Sequence, residues 1–227
     1  MIYTEIKERT MASRGRPRAF DREAALARAM NVFWEKGFDS ASMGDLTSAM
    51  GIGSPSLYAA FHSKEALFRD ALALYVETDG ASVWLAVQNA ESAYEAAEQF
   101  LMESARAFTR QGKPAGCLVV LSAAGPPDKG DKGDKGDEGD DVRAVAIKRR
   151  RECERYLARK LKAGVQTGEI APSTDIDTLA AYLMTIQQGM SMQARNGMSR
   201  HALLKIAKAA LAGWDSLTTA SSRIEAT

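Results

Sequence analysis

Apolar residues recur three and four positions apart along almost the whole chain, and alanine is abundant between them. That period belongs to amphipathic helices, because 3.6 residues per turn bring such positions onto one face. Alternation of β-branched, aromatic and polar residues never persists, and the only short β-like run is Cys117-Leu118-Val119-Val120-Leu121. The spacing predicts an all-α protein with helices over 21–36, 42–50, 54–61, 63–88, 92–110, 115–124, 141–166, 175–196 and 200–219. Local signals agree at several ends. Asp21, Ser42 and Ser63 are placed as N-caps, Ser54-Pro55 reads as an N-cap followed by a first-turn proline, and Gly37 follows its helix as a C-cap does.

Composition narrows the function classes. Of the 227 residues 45% are hydrophobic and 26% charged, the balance of a globular protein rather than a disordered one. Lys and Arg number 30 against 29 Asp and Glu, a formal charge of +1, so any nucleic-acid surface must be local. No apolar run reaches the ~18 residues of a membrane span, and residues 1–18 hold no apolar stretch of signal-peptide kind. Cys117 and Cys153 are too few for a disulfide framework, so a cytoplasmic location is expected. An enzyme finds no support. His62 and His201 lie far apart, and no metal-ligand spacing, nucleophile elbow or phosphate-cradling glycine loop is present, so no catalytic residue, metal or cofactor is expected.

Residues 42–62 have helix-turn-helix form: two short helices joined by the glycine turn Gly51-Ile52-Gly53. A helix entering a DNA major groove about 12 Å wide must present small side chains outward at its leading end. Ser54, Pro55, Ser56, Tyr58 and Ala59 meet that need, while Leu57 and Phe61, four apart, point to the core. Ahead of this unit Arg14-Gly15-Arg16-Pro17-Arg18 places three guanidiniums within five residues on a backbone kept extended, which suits a narrow minor groove.

From Phe20 to Leu67 the chain resembles the DNA-binding domain of the TetR family of bacterial transcriptional regulators. The resemblance rests on Ala29, Phe33, Gly37 and Phe38 at family spacing, on Ser42-Met43-x-Asp45-Leu46, Ala49-Met50-Gly51-Ile52, Ser56-Leu57-Tyr58-x-x-Phe61 and Ser63-Lys64-Glu65-Ala66-Leu67. It extends more loosely through Gly116-Cys117-Leu118 and Gln188-Gly189-Met190-Ser191. It implies that Ser42 and Lys64 contact the phosphate backbone, that Tyr58 contacts phosphate and a flanking base, that Ser54, Ser56 and Ala59 face bases, and that His62 lies near phosphate. It further implies a homodimer on a double-stranded palindromic operator, released by a small-molecule effector, with no membrane partner. A helical adaptor, or a non-specific DNA-binding protein without ligand control, is the alternative.

On this reading residues 1–18 are a basic arm, 19–66 the DNA-binding domain and 67–220 the regulatory and dimerisation domain. Aromatic and soft side chains nominate Trp84, Phe100, Phe108, Cys117 and Tyr156 for the ligand pocket, with Tyr75 and Met102 beside them. Two apolar stripes nominate the dimer interface: Leu179, Leu183, Ile186 and Met190, then Leu203, Ile206, Ala210 and Trp214. The basic run Lys148-Arg149-Arg150-Arg151 reads as a solvated helix face. Residues 125–141 carry glycine every third position, seven carboxylates and three lysines, and read as a flexible acidic loop.

Overall fold

The computed structural model of the chain describes residues 21–123 and 142–219. Arg14, Arg16, Arg18 and the acidic loop therefore lie outside the described residues. Eleven helices and no strand occur among the described residues: α1 (Arg22–Lys36), α2 (Met43–Met50), α3 (Ser54–Phe61), α4 (Lys64–Glu77), α5 (Ala81–Asn89), α6 (Ala93–Ala107), α7 (Leu118–Ala123), α8 (Val142–Thr167), α9 (Ile176–Arg195), α10 (Arg200–Leu211) and α11 (Trp214–Thr218).

Side-chain chemistry sets most of the boundaries. Asp21 accepts from the Ala24 amide, Ser63 from the Ala66 amide, and Ser42 forms a reciprocal capping box with Asp45. Gly37 at φ 78° and Gly51 at φ 71° end α1 and α2, since a left-handed residue without Cβ closes a helix cheaply.

Two expected helices are broken in the structure. The one read over 63–88 divides at Thr78-Asp79-Gly80, where Gly80 donates back to the Tyr75 carbonyl at 2.8 Å and Asp79 is buried. The one read over 200–219 divides at Ala212-Gly213. A third boundary moves by one residue: the N-cap of α3 is Gly53, so Ser54 is the first helical residue and not the cap.

The first three helices build a small head around Phe33, Leu46, Met50, Leu57 and Phe61, all at most 2% exposed. Phe33, Phe38 and Phe68 form an aromatic triangle with centroids 5.2–6.0 Å apart, which binds α1 to the outer end of α4. Behind the head, α6 runs through the middle of the body and packs on α5, α8, α9 and α10. Its buried alanines permit close approach. At Gly164 of α8 a Cβ would come within 2.6 Å of the Ala93 Cβ, so glycine is required there. Glu169 accepts from the Ala93 and Tyr94 amides, both at 2.7 Å, and fastens the start of α6 to the end of α8.

The stripes nominated for dimerisation point inward. Leu179, Leu183, Met190, Leu203 and Trp214 are buried within a single protomer, and Ile186, Ile206 and Ala210 are only half-buried against the same core. The five buried side chains are taken up by the protomer's own core, whereas Ile186, Ile206 and Ala210 keep part of their surface exposed. The exposed face of α9 is instead Thr178, Thr185, Gly189 and Met192.

Candidate nucleic-acid interface and regulatory pocket

Helix α3 turns Leu57 and Phe61 into the head and leaves Ser54, Pro55, Ser56, Tyr58 and Ala59 exposed along one ridge. Tyr58 is 49% exposed, so its ring belongs to the surface and not to the core. Residue Ser42 is exposed at the start of α2 while its hydroxyl serves the capping box. At the far end of the ridge Lys64 lies with its ammonium 4.4 Å from the Phe38 ring centroid, a cation–π contact that steadies the side chain.

Neighbouring charges hold the ridge in place. Lys36 donates to Asp45 at 2.6 Å, and this bond, followed by those from Ser42, holds the Asp45 carboxyl down at about 2 from its ordinary 3.8. Arg28 donates to the Met50 carbonyl at the end of α2. From α1, Arg22 pairs with Asp70 at 2.6 Å and lies over the Phe61 ring, linking three helices.

Between α3 and α4 the chain turns on one residue. His62 is exposed and holds φ 69° and ψ −55°, and Ser63 donates to the Phe61 carbonyl at 2.8 Å. That is a γ-turn with a positive φ, a strained form that persists only where the surroundings impose it. It sets the angle at which α3 leaves α4.

The body holds an inner chamber of about 40 Å³, enough for roughly one or two waters. Trp84, Phe108 and Cys117, nominated from sequence, line it, and so does Tyr75. An outer cleft of about 410 Å³ between α5 and α8 contains Tyr156 and shares Val76, Trp84 and Cys153 with the chamber. Phe100 lines neither. It is fully buried behind Trp84, their ring centroids 5.4 Å apart.

Both thiols are in their neutral state by environment. Burial pushes the Cys117 thiol up despite its hydrogen bond with Tyr75, and burial pushes Cys153 up to about 12. The two segments singled out on either side of the body meet here: the Cys117 amide donates to Ser191 Oγ at 2.9 Å, and Gly116, at φ 84°, approaches the Ser191 carbonyl where a Cβ would come within 2.9 Å.

Among the chamber residues that the sequence does not nominate, three bear on its chemistry. Gln187 is 6% exposed, and its side-chain oxygen is buried without a hydrogen-bond partner. Its signal was a polar residue in the inward register of α9. Arg150 belongs to the basic run read as solvated, yet it lines the chamber and donates to Gln188 Oε1 at 3.1 Å. Met184 completes that wall.

The chamber is wired to the head by packing. Tyr75 lines it on one side and meets Trp34 of α1 edge-on at 4.8 Å on the other. Beside Tyr75, the buried Asp79 takes ion pairs from Arg110 at 3.1 Å and Lys113 at 2.8 Å, which clamps the α4–α5 break to the turn after α6. A further tie runs from Arg195, at the end of α9, to the carbonyl of Glu35 at the end of α1. Among the described residues no helix is long and apolar enough to cross a membrane.

Comparison with known proteins supplies the wider setting. Residues 25–71 match the description "Bacterial regulatory proteins, tetR family", and residues 98–210 match "Tetracyclin repressor-like, C-terminal domain". The HTH-type transcriptional repressor ComR of Escherichia coli (strain K12) is 35% identical over 218 residues, covering 95% of this chain and 99% of that protein. The HTH-type transcriptional repressor BdcR of the same organism is 31% identical over 203 residues, 88% of this chain and 90% of its own. Among solved structures, a cysteine-substituted form of the TetR family transcriptional regulator CifR, complexed with 26-bp double-strand operator DNA, is 41% identical with a TM-score of 0.79. It is covered in full and matches 88% of this chain.

Proposed function

The chain belongs to the TetR family of bacterial regulatory proteins, and from that premise we propose that it is a homodimeric repressor whose operator binding is relieved by a small molecule. The observation that carries the reading is the outward ridge of α3: small and hydroxyl-bearing side chains exposed on a helix whose large apolar residues, Leu57 and Phe61, face the head. On DNA, Ser54, Ser56 and Ala59 meet base edges. Ser42, Tyr58, His62 and Lys64 meet phosphates, with Arg14, Arg16 and Arg18 reaching an adjacent minor groove.

Two recognition helices must reach successive major grooves about 34 Å apart, which requires two copies. The exposed face of α9 suits that role, because Thr178, Thr185 and Gly189 are small enough for a second α9 to lie close. The chamber is the effector site. Being nearly full, it accepts a ligand only by displacing its walls. Tyr75 is one of those walls and carries the displacement to Trp34 and the head, which shifts the population toward a spacing the operator does not fit. No catalytic step is involved, and the protein acts in the cytoplasm, where its DNA lies.

The test is selection of bound fragments from random DNA, followed by titration of the winning duplex. A pseudo-palindrome bound by a dimer, with affinity falling steeply as salt rises, supports the reading. Equal affinity for a scrambled duplex reduces the protein to non-specific binding, and no DNA binding at all leaves a helical adaptor.

A further inference from the structure

Besides the Tyr75 hydroxyl and the Cys117 and Cys153 thiols, the inner chamber is lined by two polar side chains with opposite demands. Gln187 offers a buried acceptor, its side-chain oxygen without a partner in an environment where an unsatisfied polar atom is costly. Arg150 offers a guanidinium whose five N–H donors are not exhausted by one bond to Gln188. Much of the remaining lining is apolar, including Phe108, Val120, Met184 and the Trp84 ring.

We propose that the effector is a small neutral alcohol with an apolar body, its hydroxyl donating to Gln187 Oε1 and accepting from Arg150. A hydroxyl is a small group that can do both. An ammonium group would satisfy Gln187 but meet the Arg150 charge. A carboxylate would pair with Arg150 but set its lone pairs against the Gln187 oxygen. A carbonyl or ether could only accept. The apolar body has one direction to extend. The chamber itself holds little more than the hydroxyl, and Val76, Trp84 and Cys153 form the wall it shares with the outer cleft of about 410 Å³. Displacement of the Trp84 ring joins the two spaces, and the body of the ligand then lies against that ring and Tyr156.

This assignment rests on the chamber being the effector site, so binding and DNA release are measured separately. Isothermal titration of the full-length protein without DNA uses four probes of one shape: benzyl alcohol, benzaldehyde, benzylamine and benzoate. Benzyl alcohol is expected to bind about tenfold or more tighter than each of the others, the scale of one buried hydrogen bond left unmade. Gln187→Met, close in volume, is expected to remove that preference. Gln187→Leu provides a second variant, and circular dichroism checks the fold of both. Any of the other three probes binding as tightly as the alcohol overturns the assignment, as does unaltered alcohol binding in both folded variants or no binding of any probe. Should both variants fail to fold, the ranking of probes on the unaltered protein decides alone. Release of a selected operator duplex is then followed by fluorescence anisotropy. Alcohol binding by the stated rule without release leaves the assignment standing and removes ligand control from the proposed function.

Discussion

His62 is the residue where backbone geometry and the proposed function meet most closely. A side chain at φ 69° carries strain that glycine does not, so His62→Gly is expected to leave stability within about 1 kcal/mol of the parent or raise it. His62→Val, β-branched, is expected to lose more than about 1 kcal/mol in urea unfolding. Tyr58→Ala on α3 and Lys64→Ala at the head of α4 are expected to weaken binding on every sequence, whereas Ser56→Ala changes base preference by about 1–3 kcal/mol at one position. Like behaviour of the two classes would mean that α3 lies in the groove at another angle. Asp45 adds a pH signature. Its folded carboxyl titrates at about 2, below the ordinary value, so its contribution is complete above about pH 4 and lost as pH falls through about 2. The difference in urea midpoint between the parent and Asp45→Asn should hold constant from pH 7 to 5 and shrink from pH 4 to 2.

At the scale of elements, the α4–α5 break places the buried Asp79 between Arg110 and Lys113. Asp79→Ala leaves two half-exposed cations without their partner and is expected to cost about 1–3 kcal/mol in thermal unfolding. No measurable loss would mean that packing around Gly80 alone fixes the break. The break was legible in principle, since Thr78-Asp79-Gly80 is turn chemistry. It is masked because Leu72, Val76, Val83 and Val87 keep helical spacing on both sides. Caps spoke more clearly: Asp21, Ser42 and Ser63 sit where the sequence put them, because each acts on amides within its own first turn. Long-range partners were not legible. The period of Leu179, Leu183 and Met190 marks one face as apolar and is silent on which body covers it. Here α6, α8 and α10 do, and the small face opposite carries no hydropathy signal. Gln187 is likewise one polar letter in an inward register until Arg150 and Phe108 are brought beside it by other helices.

For the whole molecule, the proposed function requires that two copies present two heads at a fixed spacing and that one chain report an occupied chamber to its own head. Gly189 is exposed, and a Cβ there meets nothing within 4 Å, so Gly189→Arg should leave the protomer folded. Sedimentation is expected to show monomers of that variant, because a guanidinium would stand between two small-faced helices. A dimer that persists would move the interface elsewhere. The measurement that bears most directly on the central claim is anisotropy of a selected palindromic duplex titrated with the full-length protein, beside a scrambled duplex at two salt concentrations. The account predicts dimer binding to the palindrome, at least about a thousandfold tighter than to the scrambled duplex, and weakening steeply on both as salt rises. Equal affinity for the two duplexes, or binding by the variants Tyr58→Ala and Lys64→Ala indistinguishable from the parent, would contradict it.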